Sequence, residues 1–103
     1  MATVEKIAGF DAAAELSKNS KVDVSFATRA HGYGLYKVGT TGVAPDEADK
    51  PSILNVAQIE RRQKWFAHEA AWAECGGDYK RAQELYIAFV EETNSLEPGH
   101  FTK

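Results

Sequence analysis

Chemistry in this 103-residue chain, if any is legible, starts with the glycine-rich stretch RAHGYGLYKVGTTG, residues 29–42. A dinucleotide fingerprint needs G-x-G-x-x-G between a strand and a helix, so that the helix N-terminus faces the pyrophosphate. Here Gly32 and Gly34 are followed by Lys37 where the third glycine would fall, and G-x-x-x-x-G-K-[ST] occurs nowhere. The glycines are therefore expected to turn a β-hairpin, where positive φ is required. Arg29, His31, Tyr33 and Tyr36 would then form an exposed tip able to touch a partner.

Other reactive side chains are scattered. His31, His68, His100 and Cys75 show neither paired cysteines nor a histidine pair one helical turn apart, so no metal site is expected. Cys75 falls at a helix C-terminus, where the dipole raises a thiol pKa and disfavours a nucleophile. No serine lies in G-x-S-x-G, and Glu91 and Glu92 project to solvent on a helix wheel. The sequence points to no catalytic residue and no cofactor.

The segment SILNVAQIERRQKWFAHEAAWAEC, residues 52–75, carries two apolar stripes at helical spacing. Val56, Ile59, Phe66, Ala70 and Ala73 form one; Leu54, Trp65 and Trp72 form the other, with Arg61 and His68 interleaved. Trp and Arg dominate interface hot spots, so the Trp stripe either packs on a sheet or docks a partner. RRQKWF also joins cations to aromatics that could stack on bases.

These residues need elements to position them. GFDAAAELSKN reads as a short helix capped by Asp11. KVDVSFAT alternates Val22, Val24 and Phe26 with polar residues, the period of a half-buried strand, and YGLYKVG is its hairpin partner. Residues 39–52 concentrate Gly, Pro and acid and read as a loop. From Pro51 a long helix runs to Cys75, stopped by Gly76 and Gly77. Asp78 then caps a last helix whose Tyr79, Ala82, Leu85, Tyr86, Phe89 and Val90 share a face, with Arg81, Glu84, Ala88 and Glu91 opposite. Two helices joined by so short a turn are expected to pack antiparallel.

The turn and last helix, GGDYKRAQELYIAF, resemble part of a tetratricopeptide repeat, with Gly77, Asp78, Tyr79, Ala82 and Tyr86 matching. The likeness covers about a third of the chain without a second copy, and implies only a helical hairpin.

Composition bounds the rest. With 44% hydrophobic and 26% charged residues, the chain is apolar enough to fold. Its length suits one domain, with 1–38 an αββ part, 39–52 a connecting loop, 53–95 the helical hairpin and 96–103 a tail. Net charge is -3, with five Lys/Arg against four Asp/Glu in residues 1–45 and seven against eleven in 46–103. That balance disfavours a generic polyanion binder. One cysteine allows no internal disulfide, and the start MATVEKIAGF lacks an apolar signal core, so a cytoplasmic setting is expected. No run approaches the roughly 18 apolar residues of a membrane span.

The expected fold class is α+β, a short N-terminal helix and β-hairpin packed on a C-terminal antiparallel helical hairpin. The expected function is a small non-enzymatic protein-interaction or regulatory module, one form of which is an inhibitor occupying a partner protein's surface. Its candidate partner-binding residues are Trp65, Trp72, Arg61, His68, Glu84, Glu91, Tyr33 and Tyr36. Alternatives are a nucleic-acid-associated protein using Arg61, Arg62 and Lys64, and a small enzyme or subunit whose site forms on oligomerisation. A protein partner is expected and a membrane is not; homo-oligomerisation stays open.

Overall fold

The computed structural model describes residues 4–50 and 59–102. Four α-helices follow one another: α1 (Phe10–Asn19), α2 (Phe26–Thr41), α3 (Ile59–Glu74) and α4 (Tyr79–Thr93), with a 3-10 turn at Glu47–Asp49. Among the described residues there is no strand. The α+β expectation, with its β-hairpin and αββ part, is therefore corrected to an all-helical fold.

The correction turns on α2, which occupies both expected strands. Ser25 starts it, its hydroxyl accepting from Thr28 N–H at 3.1 Å, and Gly42 ends it at φ 68° with its N–H on the Val38 carbonyl. Three glycines inside a helix cost about 1 kcal/mol each relative to alanine, so propensity alone does not account for this element. Packing does. A Cβ on Gly32 would overlap the Phe89 ring of α4, and one on Gly34 would overlap the Ala67 carbonyl of α3. The glycines neither turn the chain nor cradle a phosphate; they let two helices approach a third.

α2 packs on both α3 and α4, and α1 packs on α4. α3 and α4 do not pack along each other, so the expected self-contained antiparallel hairpin is replaced by two helices laid on α2. Their joint is as expected: Gly76 and Gly77 take φ of 61° and 78°, and Gly77 N–H reaches the Trp72 carbonyl at 3.1 Å. Asp78 caps α4, Oδ1 accepting from Lys80 and Arg81 N–H at 3.0 and 3.3 Å. Gly9, two residues ahead of Asp11, instead caps α1, with no side-chain hydrogen bond; Asp11 sits in the first turn and pairs with Lys6 at 3.2 Å.

The core gathers Phe10, Ala13, Leu35, Val38, Ala71, Cys75, Ala82, Tyr86, Ile87 and Val90. Of the two α3 stripes, the one carrying Ile59, Phe66, Ala70 and Ala73 faces outward, while Trp65 is buried and Trp72 packs against the core. Val56, Leu54 and the helix start at Pro51 lie outside the described residues. Glu91 does not project to solvent: it is buried and accepts from Gly99 and Phe101 N–H, both at 3.2 Å, folding the C-terminal tail onto α4.

Candidate functional site

Reading 26–41 as a helix places Arg29, Tyr33 and Tyr36 at i, i+4 and i+7 on one face. Opposite them α4 presents Tyr86 and Phe89. The rings form a connected wall, Tyr36 to Tyr86 at 5.4 Å and Tyr86 to Phe89 at 6.3 Å between centroids. With α1 and the extended segment 20–25 they enclose a cleft of about 870 Å³. Lys18 of α1 and Arg29 of α2 stand on its lining. The 20–25 segment is held in place where Ser20 Oγ donates to Asn94 Oδ1 at 2.6 Å. Burial raises the Tyr86 phenol, with the Ser17 hydroxyl partly offsetting it, so that phenol stays uncharged at neutral pH.

A second, narrower cleft of about 270 Å³ opens between α2 and α3, lined by Phe26, Ala30 and Ala67 together with the stems of Glu60, Gln63 and Lys64. Arg29 and Tyr33 line both clefts, so the two meet there. Lys64 Nζ lies 5.7 Å over the Tyr33 ring and 3.3 Å from Glu60. Arg29 has only a 4.0 Å contact with the exposed Asp23. The junction thus joins an aromatic face to two cations whose ion pairs are solvent-exposed and worth little, leaving them ready to take an anion.

Of the candidate partner-binding residues, the structure brings only Tyr33 and Tyr36 to a cleft. Trp65 and His68 hold the loop after α2: Trp65 Nε1 donates to the Asp46 carbonyl at 2.9 Å, and His68 Nε2 donates to the Val43 carbonyl at 2.8 Å. Burial lowers the His68 pKa, Lys37 adding to the effect. Trp72 is half-buried, Arg61 is exposed, Glu84 pairs with Arg81 at 3.7 Å on the surface and Glu91 ties down the tail. Cys75 is buried, and burial with the Glu74 charge pushes its thiol up. Among the described residues no three His, Cys, Asp or Glu are grouped to hold a metal, and no helix is long and apolar enough to cross a membrane.

Tyr86, Phe89 and Lys18 went unnoticed as site residues. Tyr86 and Phe89 were assignable only to the apolar face of the last helix, and the face opposite them was misread as strand. The signal that finds them is the pairing of Gly32 with Phe89 once both segments are helices.

The wider cleft is thus walled by tyrosines, carries Lys18 and Arg29 on its lining, and shares Arg29 and Tyr33 with the narrower groove between α2 and α3. The family described as Acyl CoA binding protein matches residues 8–90, and the chain belongs to that family. No curated protein matches, and no solved structure does. Membership overturns the expected protein-interaction or inhibitor module and its protein partner, and the nucleic-acid reading of Arg61, Arg62 and Lys64.

Proposed function

We propose that the chain binds acyl-CoA thioesters reversibly, as a single ligand-binding domain, with the CoA head group in the tyrosine cleft and the acyl chain in the α2–α3 groove. The observation that carries this is the meeting of the two clefts at Tyr33 and Arg29. An adenine ring stacks on an aromatic face, each such contact being worth about 1–3 kcal/mol. The phosphates suit Arg29, Lys64 and Lys18, the guanidinium offering a planar fork of donors. Beyond the thioester, each methylene buried between Ala30 and Ala67 adds about 0.8 kcal/mol. Neither half of the ligand alone uses both clefts, so the intact thioester binds more tightly than free CoA or free fatty acid. The lone thiol supports a reducing, cytoplasmic setting for this carrier.

Titration calorimetry with an acyl-CoA, CoA and the matching fatty acid tests the reading. Affinity is expected to be highest for the thioester by at least tenfold. Equal affinity for the fatty acid would rule the head-group cleft out of recognition.

A further inference from the structure

The groove between α2 and α3 is short, and both of its ends are defined. Tyr33 and Ala67 stand at one end, where the helices close on each other: beside them the Gly34 α carbon abuts the Ala67 carbonyl with no room for a Cβ. The lining runs from there toward lower residue numbers on both helices and finishes at Phe26 and Glu60. On each helix that is about two turns, roughly 10 Å at 1.5 Å per residue.

Phe26 is 60% exposed, so the groove opens to water there. Among the described residues no apolar side chain carries the lining further. Ser25, next on α2, is the N-cap; Val22 lines the wide cleft instead, and Ile59, next on α3, lines neither. The floor between the ends is Ala30 and Ala67, whose small side chains leave the space that the groove has.

Two measures of that space agree. Carbon–carbon bonds of about 1.52 Å at angles near 111° advance an extended chain about 1.25 Å per carbon, so the length of the groove takes about eight carbons. Its volume is about 270 Å³, and at about 30 Å³ for a group the size of a water molecule in a liquid it takes about nine. With acyl-CoA as the ligand, the reading on which this rests, we propose that the α2–α3 groove selects medium-length acyl chains of about eight to ten carbons, with Ala30 and Phe26 setting the limit. Up to that length each methylene leaves water and raises affinity by up to about fourfold. Later carbons pass Phe26 into solvent and add little. An acyl chain lying in the wide cleft, of about 870 Å³, would meet no limit at this length.

Titration of CoA and of butanoyl-, octanoyl-, decanoyl-, dodecanoyl- and hexadecanoyl-CoA, kept below the concentrations at which the ligands self-associate, tests this. Affinity is expected to rise at least about a hundredfold from butanoyl to decanoyl and less than about fivefold from decanoyl to hexadecanoyl. Ala30→Leu adds three carbons to the floor and is expected to move the break two or three carbons shorter. Phe26→Ser removes the last apolar wall from an exposed position outside the core, with circular dichroism unchanged, and is expected to move it one or two carbons shorter. A steady gain through hexadecanoyl-CoA would overturn the limit and leave acyl-CoA as the ligand. A break near decanoyl that neither variant moves would place its cause outside this groove and overturn the proposal as well. Thioesters of every length binding no better than CoA would take down both the limit and the acyl-CoA reading.

Discussion

The α carbon of Gly34 lies against the carbonyl oxygen of Ala67, with no space between α2 and α3 for a side chain. A backbone oxygen cannot step aside as a side chain can, so Gly34→Ala must separate the helices. The helix-propensity gain of about 1 kcal/mol is expected to be outweighed, with a net loss of about 1–3 kcal/mol of stability. Gly32 meets the tip of the Phe89 ring instead, which can tilt. Gly32→Ala should therefore cost less stability and more ligand affinity, since Phe89 walls the wide cleft. Urea unfolding and acyl-CoA titration of both variants check the contrast, and a more destabilised Gly32→Ala would contradict it.

How much of this was legible depended on whether local signals agreed with packing. The bounds of α4 were readable, because Asp78 caps it and its apolar residues are regularly spaced, and so was the Gly76-Gly77 turn, although the burial of Gln83, Ile87 and Glu91 was not. Those of α2 were not. Its glycines argue locally for a turn, and Val22, Val24 and Phe26 alternate like a strand although Val22 and Phe26 end up exposed. What makes 26–41 helical is the fit of its glycine face to Phe89 and Ala67, a long-range relation that no window of sequence contains. The site followed the same line: Tyr33 and Tyr36 were singled out from the glycine stretch, while their partners Tyr86 and Phe89 needed the helix to be known first.

Tyr33 borders both clefts and sits beneath Lys64. Truncating it removes the stacking face and the junction together. Tyr33→Ala is expected to weaken acyl-CoA binding by about 1–3 kcal/mol, and Tyr33→Phe, which keeps the face, by much less. The ring is only partly buried, so circular dichroism should be unchanged in both. Equal losses in the two variants would assign the recognition to the hydroxyl instead.

His68 makes stability depend on pH. The Val43 carbonyl can only accept, so Nε2 must carry a proton to donate to it; burial disfavours a second proton on the ring and lowers the pKa below 6.5. The unfolded chain then binds more protons than the folded one as pH drops, so stability rises with pH through this window. The His68 contribution is fully present above about 6.5 and is lost as pH falls toward the lowered folded value. His68→Gln keeps a donor and removes the titration. Its urea midpoint should change less than that of the natural chain between neutral and mildly acidic pH, and parallel curves would remove His68 as the cause.

Gln83 is fully buried on α4 and satisfies three backbone groups from two other segments. Its Nε2 donates to the Glu5 and Gly39 carbonyls, both at 2.9 Å, and its Oε1 accepts from Ile7 N–H at 2.8 Å. Gly39 lies in the last turn of α2, where a carbonyl has no helical donor ahead of it, so one amide both ends α2 and holds the N-terminal segment. Gln83→Leu fills the same space and leaves all three groups without a partner; at about 1–3 kcal/mol for each buried unsatisfied group, a loss of about 3 kcal/mol or more is expected, independent of pH. Gln83→Glu behaves differently. An ionised carboxylate there would face two carbonyl oxygens and is disfavoured, so the folded state would hold its proton above the ordinary glutamate pKa of about 4.3. More protons bound in the folded state means stability falling as pH rises. Denaturant midpoints measured on both variants from acidic to neutral pH should thus be flat, relative to the natural chain, for Gln83→Leu and descending for Gln83→Glu. A flat profile for both would show that the amide at 83 does not face the Gly39 carbonyl.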